Sequence, residues 1–266
     1  MPLERVVHPT LTPVWYRWSA AEGGPAGFVH GIFTRLGGAS CGAFASLNLG
    51  STVGDDAAAV EENHRRVFAA LGYPGWDWVS PHQVHGSHVA VVGAADRRQV
   101  IPATDALVTN EPGVALLLRF ADCVPVLFFD PRERVVAVAH AGWRGIVAGI
   151  VPATVKTLVS RFGSRPEDLW VGVGPSIGSD HYAVGKDVLQ AVVDALPKGA
   201  SVPVASHRVG KDYLDLAAAV EAQLVGIGVA DVNQAGICTA CHTDEWFSHR
   251  AEVGGTGRFG AVAMLA

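Results

Sequence analysis

Three short segments concentrate residues that bind metals or attack electrophiles: PHQVHG (81–86), ADCVPVLFFD (121–130) and VVAVAHAGWRG (135–145). His85 sits in a turn before Gly86, Cys123 opens an apolar strand, and His140 closes the next one. If 124–130 and 135–140 pair as a hairpin through Pro131–Arg134, their ends away from the turn lie side by side and Cys123 neighbours His140. Two imidazoles and a thiolate suit Zn²⁺, and three protein ligands leave a fourth position open, the catalytic rather than the structural pattern. Water bound there would have a pKa near ~7. Asp122 is a candidate general base or partner of a ligand. The bland alternative is a buried cysteine acting as a small hydrophobe and two histidines bonded to backbone carbonyls. With 11 histidines in the chain, spacing alone leaves both readings open.

The elements that would position these residues are short. Phe28–Phe33 reads as a strand entering a Gly-rich loop, Thr34–Gly50. Asp55 or Asp56 caps a helix reaching Leu71. A β-rich middle follows, with runs at Val89–Val92, Ala106–Thr109, Val114–Arg119, Val124–Asp130 and Val135–His140. Ile146–Phe162 reads as a helix in which Pro152 marks a start or a kink. Leu169–Val173 is a strand, Lys186–Leu196 and Leu214–Gly226 are helices, and Val232–Ile237 and Val262–Leu265 are strands. Residues 1–27, rich in Pro and Gly, read as an irregular or edge segment. Strands flanked by helices without strict alternation imply an α+β or α/β domain with a mixed sheet, occupying 1–266 as one unit.

The composition excludes several classes. With 266 residues, 49% hydrophobic and 17% charged, the chain has ample core and no disorder signature. A net charge of −5 and the lack of a basic stripe argue against a nucleic-acid partner. No run approaches the ~18 apolar residues of a membrane span, and the N-terminus shows no signal-peptide pattern, so the expected location is the cytoplasm. There the four cysteines, Cys41, Cys123, Cys238 and Cys241, are expected as thiols or metal ligands.

The segments HGIFTRLGGAS, SLNLG, HQVHG, TDALVT, ADCVPVLFFD, AHAGWRGIVAGI, VGVGPSIG and CT…FSHR together resemble the YfiH/laccase-domain family, from about Phe28 to Arg258. That family was once described as multicopper polyphenol oxidase-like and is now described as purine nucleoside phosphorylases. The resemblance implies a mixed β-sheet sandwich flanked by helices, the CNF1/YfiH-like fold. It implies zinc, with copper as the minority reading, on His85, Cys123 and His140, which would also be the catalytic residues. The implied activity is phosphorolysis of adenosine, inosine and methylthioadenosine, with adenosine deamination beside it, in a monomer or homodimer whose partners are a purine nucleoside and phosphate.

Phosphorolysis needs an anion site. Arg35, before Leu36-Gly37-Gly38, offers a guanidinium and backbone N–H groups, Arg144 is a second candidate, and Asn48 could bond sugar or base. Two other readings stand beside this one: a copper-dependent polyphenol oxidase, and a cysteine-type hydrolase editing cell-wall precursors. Cys238-Thr-Ala-Cys241-His242 matches a haem-attachment pattern, but without an export signal it reduces to a redox dithiol or half a zinc site. His82 and His88 fall outside the metal positions, and Gly172-Val173-Gly174 lacks the rest of a dinucleotide fingerprint. The chain departs from the family at Ala251, where a second Arg is common, and at His181-Tyr182-Ala183, where Cys-Tyr-Glu is usual.

Overall fold

The computed structural model describes residues 3–7, 13–19, 26–73, 78–200, 204–208 and 211–266, and side chains are not considered at 204–208 and 211. The α+β sandwich expected from the sequence is what forms. Its first large sheet contains β1 (Leu3–Val7), β2 (Val14–Trp18), β3 (Phe28–Phe33), β4 (Trp78–Pro81), β6 (Val100–Ile101), β8 (Ala115–Phe120) and β16 (Phe259–Leu265), in the order β1-β2-β3-β16-β8-β4-β6. The second contains β5 (Val89–Val91), β7 (Ala106–Thr109), β9 (Val124–Asp130), β10 (Val135–Ala141), β11 (Trp170–Val173) and β15 (Asp231–Gln234), in the order β15-β11-β9-β10-β7-β5.

The two sheets face each other. Leu127, Phe129, Val136 and Val138 of the second sheet share one core cluster with Leu116, Leu118, Phe259 and Ala261 of the first. The alternate residues of the same strands, Val126, Phe128, Ala137 and Ala139, face a second cluster, which they share with α2 (Trp143–Ala148), α3 (Ile150–Phe162) and α5 (Leu216–Gly226). Strands β9 and β10 are therefore buried on both faces, which is why they read as unbroken apolar runs rather than as alternation. On the outer face of the first sheet, Val67 and Phe68 of α1 (Ala57–Ala70) pack with Phe33, Leu117 and Val262. The layers run helix, sheet, sheet, helices.

The hairpin forms as expected, with His140 opposite Pro125 and Ala141 opposite Val124. Asp56 caps α1 by accepting from the Ala59 N–H at 2.8 Å, and Asp215 does the same for α5. In the segment 1–27, β1 and β2 form the edge of the first sheet, with Trp15 and Trp18 buried. Two points differ from the sequence reading. The helix expected over Ile146–Phe162 is two helices, broken at Gly149, whose φ of 82° is the left-handed conformation that glycine tolerates best. Pro152 does not break it, because it lies in the first turn of α3 where its missing N–H is not needed. A small third sheet, β12 (Ala183–Val184), β14 (Lys211–Leu214) and β13 (Val204–Arg208), was not anticipated. Among the described residues, no helix is long and apolar enough to cross a membrane.

Candidate metal centre

The candidate site lies where the chain passes between the two large sheets. His85 is on the connection from β4 to β5, Cys123 is on the connection from β8 to β9, and His140 is near the end of β10. One ligand-capable atom from each lies within 4.8 Å of the others. The His85 and His140 rings are 4.7 Å apart and nearly perpendicular. His140 is buried and His85 is exposed, so the group has one closed and one open side.

A fully buried carboxylate, Asp105, organises the group. His140 Nδ1 lies 2.9 Å from Asp105 Oδ1. A carboxylate only accepts, so Nδ1 carries the proton and Nε2 keeps its lone pair for a metal. The backbone N–H groups of His85 and Gly86 donate to the same carboxylate at 2.9 and 2.7 Å, and Val84 N–H at 3.2 Å. This nest holds His85 at a φ of 59°, a conformation that costs a non-glycine residue ~1 kcal/mol or more. Sequence reasoning gave Asp105 no role; the signal available was an acidic residue opening the apolar run TDALVT.

Electrostatics couple the three ligands. Burial pushes the Cys123 thiol up, but the His140 charge and hydrogen bonds from both histidines more than offset this and bring it down to about 6. Burial likewise opposes charge on His140, and the Cys123 thiolate and Asp105 overcome it, raising His140 to about 9. Without a metal the cysteine and histidine thus favour an ion pair, with a second proton on Nε2 that a metal ion would replace. Asp105 is kept below the usual carboxylate range, because the bonds from His140 and the backbone outweigh its burial. The donor set, two imidazoles and a readily ionised thiol, fits zinc. Gly142 fits too: a Cβ there would lie 2.8 Å from Cys123 Sγ and 3.1 Å from the His85 ring.

Asp122 does something other than expected. Its Oδ1 accepts from the Thr239 and Ser248 hydroxyls and its Oδ2 from the Arg250 N–H, each at 2.7 Å. Held by three donors, it ties the Cys123 loop to the CT and SHR segments, and it is not the carboxylate on the metal ligands. Asn48, expected to contact substrate, has its side chain engaged within the protein. It is fully buried, bonding Gly50 and Asp55 through Nδ2 and the N–H groups of Gly50 and Arg258 through Oδ1. Arg35 donates to the carbonyls of Ala45 and Thr243, pairs with Glu252 at 3.0 Å and stacks on Phe247. Those bonds hold the Gly-rich loop together.

Three other arginines interact electrostatically with this region. Arg258 is lowered by burial, and the charges of Cys123 and Asp122 oppose that shift. Tyr182 is pushed up to about 12, by burial first and then by Cys123, with Arg250 and Arg144 pulling the other way. Arg250 lies over the Tyr182 ring at 4.8 Å, and Arg144 over Trp143 at 4.5 Å. Tyr182 thus feels Cys123 on one side and the charges of Arg250 and Arg144 on the other.

The chain matches the family model described as multi-copper polyphenol oxidoreductase laccase over residues 29–266. It is 40% identical over 242 residues to a protein of Geobacillus stearothermophilus named purine nucleoside phosphorylase YlmD, covering 88% of each chain. It is 41% identical over 236 residues to a purine nucleoside phosphorylase of Deinococcus radiodurans, covering 89% of this chain and 88% of that one. Among solved structures, YlmD from Geobacillus stearothermophilus superposes with a TM-score of 0.93 at 37% identity, covering 99% of both chains. Bacillus licheniformis YfiH, a hypothetical protein, superposes with a TM-score of 0.89 at 31% identity, covering 97% of this chain and 98% of that one.

Proposed function

We propose that this chain, which belongs to the laccase-domain family of YlmD and YfiH, is a zinc-dependent purine nucleoside phosphorylase. The proposed substrates are adenosine, inosine and methylthioadenosine, with adenosine deamination as a side activity in the cytoplasm. The observation that carries this reading is the convergence of His85, Cys123 and His140 under one carboxylate, Asp105, with arginines alongside. The phosphorylase names of relatives near 40% identity supply the reaction class.

In this reading His85, Cys123 and His140 hold the zinc, which supplies Lewis acidity for a substrate oxygen or water. Asp105 fixes the His140 tautomer and the His85 turn. Arg144 and Arg250, both exposed, and the half-buried Arg258 hold phosphate beside the sugar. Tyr182 forms a wall against which the nucleoside packs. Zinc-loaded protein given adenosine and phosphate should release adenine and ribose 1-phosphate, separable by chromatography. Formation of neither adenine nor inosine would refute the reading.

A second reading is favoured by one observation. Cys123, His140 and Asp105 form a line of nucleophile, base and orienting acid, the arrangement of a cysteine hydrolase. Turnover of a cell-wall peptide that persists in chelator and is lost on thiol alkylation would support this reading over the first. For the copper oxidase, the metal-capable groups among the described residues contain three histidines in all, His85, His140 and His181, which gives that reading little to build on.

A further inference from the structure

We propose that Asp180, His181, Cys238 and Cys241 form a second metal site, a four-ligand zinc centre that is structural and clamps the loop carrying Tyr182 beside the first site. Two segments meet to make it. Gly178–Tyr182 follows β11, and Cys238–Cys241 follows β15. A parallel bridge between Ser176 and Cys238 fixes the two segments against each other.

The four ligand-capable atoms lie within 4.8 Å of one another. Nearly all of that convergence is on one atom. His181 Nδ1 lies 2.9 Å from Asp180 Oδ1, 3.6 Å from Cys241 Sγ and 3.8 Å from Cys238 Sγ. A ring nitrogen of a neutral imidazole either donates one hydrogen or accepts through one lone pair, so it cannot satisfy the carboxylate and both thiols together. A cation among the four atoms would serve all of them. Tetrahedral zinc with thiolate bonds of ~2.3 Å and imidazole bonds of ~2.0 Å separates sulfur from nitrogen by about 3.5 Å and nitrogen from a carboxylate oxygen by about 3.3 Å; the sulfur–nitrogen distances here are slightly longer and the nitrogen–oxygen distance shorter, so an ion would move the carboxylate outward.

The surroundings also suit a bound thiolate. The Gly178 N–H donates to Cys238 Sγ at 3.1 Å, the kind of outer hydrogen bond that orients a ligating sulfur. A Cβ on Gly178 would lie 3.0 Å from that sulfur and 2.9 Å from Asp180 Oδ1. Asp180, His181 and Cys241 are exposed, so an ion can enter from solvent. Two cysteines, one histidine and one carboxylate close all four positions, the pattern of a structural centre.

The site would act on its neighbour through two short links. Tyr182 follows His181 directly and stacks under Arg250. Thr239, between the two cysteines, donates to Asp122, which adjoins Cys123. Metal at the second site would thus hold the tyrosine wall and the Cys123 loop in register.

The test measures zinc per chain in full-length protein, supplied with zinc under reductant and then desalted. Wild-type protein should hold about two equivalents, Cys123→Ala about one, Cys241→Ser about one, and the double variant about none. Cobalt loaded into Cys123→Ala should give a thiolate-to-metal charge-transfer band that Cys241→Ser abolishes. His181→Ala serves the same purpose if Cys241→Ser does not fold. The proposal is overturned if Cys123→Ala retains no zinc, if its zinc survives Cys241→Ser, or if Cys238 and Cys241 are found joined as a disulfide under these conditions. A wild-type protein with one equivalent that Cys241→Ser removes would refute the first site and leave this one standing.

Discussion

Replacing Asp105 by Asn should loosen the metal centre and the fold together, by amounts that follow from four hydrogen bonds. Oδ1 accepts from His140 and the His85 N–H, and Oδ2 from the Val84 and Gly86 N–H groups. An amide keeps one acceptor oxygen, so two of these donors would face an NH₂ group. Each charge-assisted bond lost in a buried setting costs about 1.5–3 kcal/mol, so Asp105→Asn should destabilise the metal-free protein by about 3–6 kcal/mol. That is a large part of a total of ~5–15 kcal/mol. Loss of a carboxylate behind a metal-bound histidine typically weakens metal binding ~10–100-fold. At saturating zinc the stabilisation by the ion should then shrink by about 1.4–2.7 kcal/mol. Chelator competition would read the first quantity, and urea melts with and without zinc the second. An Asp105→Asn protein with the parent's zinc affinity and urea midpoint would refute the organising role given to this residue.

The remaining predictions concern space, pH and charge. Gly142→Ala should lower zinc affinity at least ~10-fold and cost about 1–3 kcal/mol in urea melts, because its Cβ meets Cys123 Sγ and the His85 ring; full zinc affinity would contradict the packing. His30 and His64 are buried and their pKa values fall to about 4, by burial in both cases and with Arg119 adding to it for His64. Both folded values lie below the ~6.5 of the unfolded chain, so their stabilisation is full above about pH 6.5. It is lost as pH falls towards 4, by up to about 3 kcal/mol for each residue. His30 makes the reason visible, since its Nε2 accepts from the Trp18 N–H and cannot do so when protonated. Urea midpoints that stay level from pH 7 to pH 5 would sink this account. Arg144→Ala should raise KM for phosphate about tenfold with zinc content unchanged; loss of zinc instead would mean the residue is structural.

How much of this was legible depended on sequence distance. The pairing of Cys123 with His140 needed only a hairpin, and VPVLFFD–PRER–VVAVAHA announces one by its two apolar runs and polar turn. His85 could not be placed from spacing, because it reaches the group through a crossing from one sheet to the other. The same holds for His181 and Cys238, whose loops meet through a single bridge. For Arg35 and Asn48 the sequence suggests ligand contacts, because each is a polar group beside glycines. In the fold their donors and acceptors hold the glycine loop itself. Pro152 lies at the start of α3, one of its two readings, whereas the break before that helix needs the left-handed backbone of Gly149, which the stronger punctuation of Pro152 hides in the sequence.

One further signal at the site is readable in the sequence. Asp105 and Asp122 each open an apolar run, TDALVT and ADCVPV, where a buried carboxylate is costly unless several donors meet it. Both have those donors. Asp105 gathers three consecutive N–H groups and one imidazole, and Asp122 gathers two hydroxyls and one N–H. Each also sits beside an unusual backbone: His85 at φ 59° is held by Asp105, and Asp122 itself lies at φ 85°. Non-glycine residues persist in this conformation when surrounding bonds over-determine it. The two aspartates therefore do for the loops what strand pairing does for β10: they convert mobile connections into fixed mounts for His85 and Cys123. A carboxylate that opens an apolar strand, next to a ligand-type residue, is the sequence feature from which such a mount can be inferred.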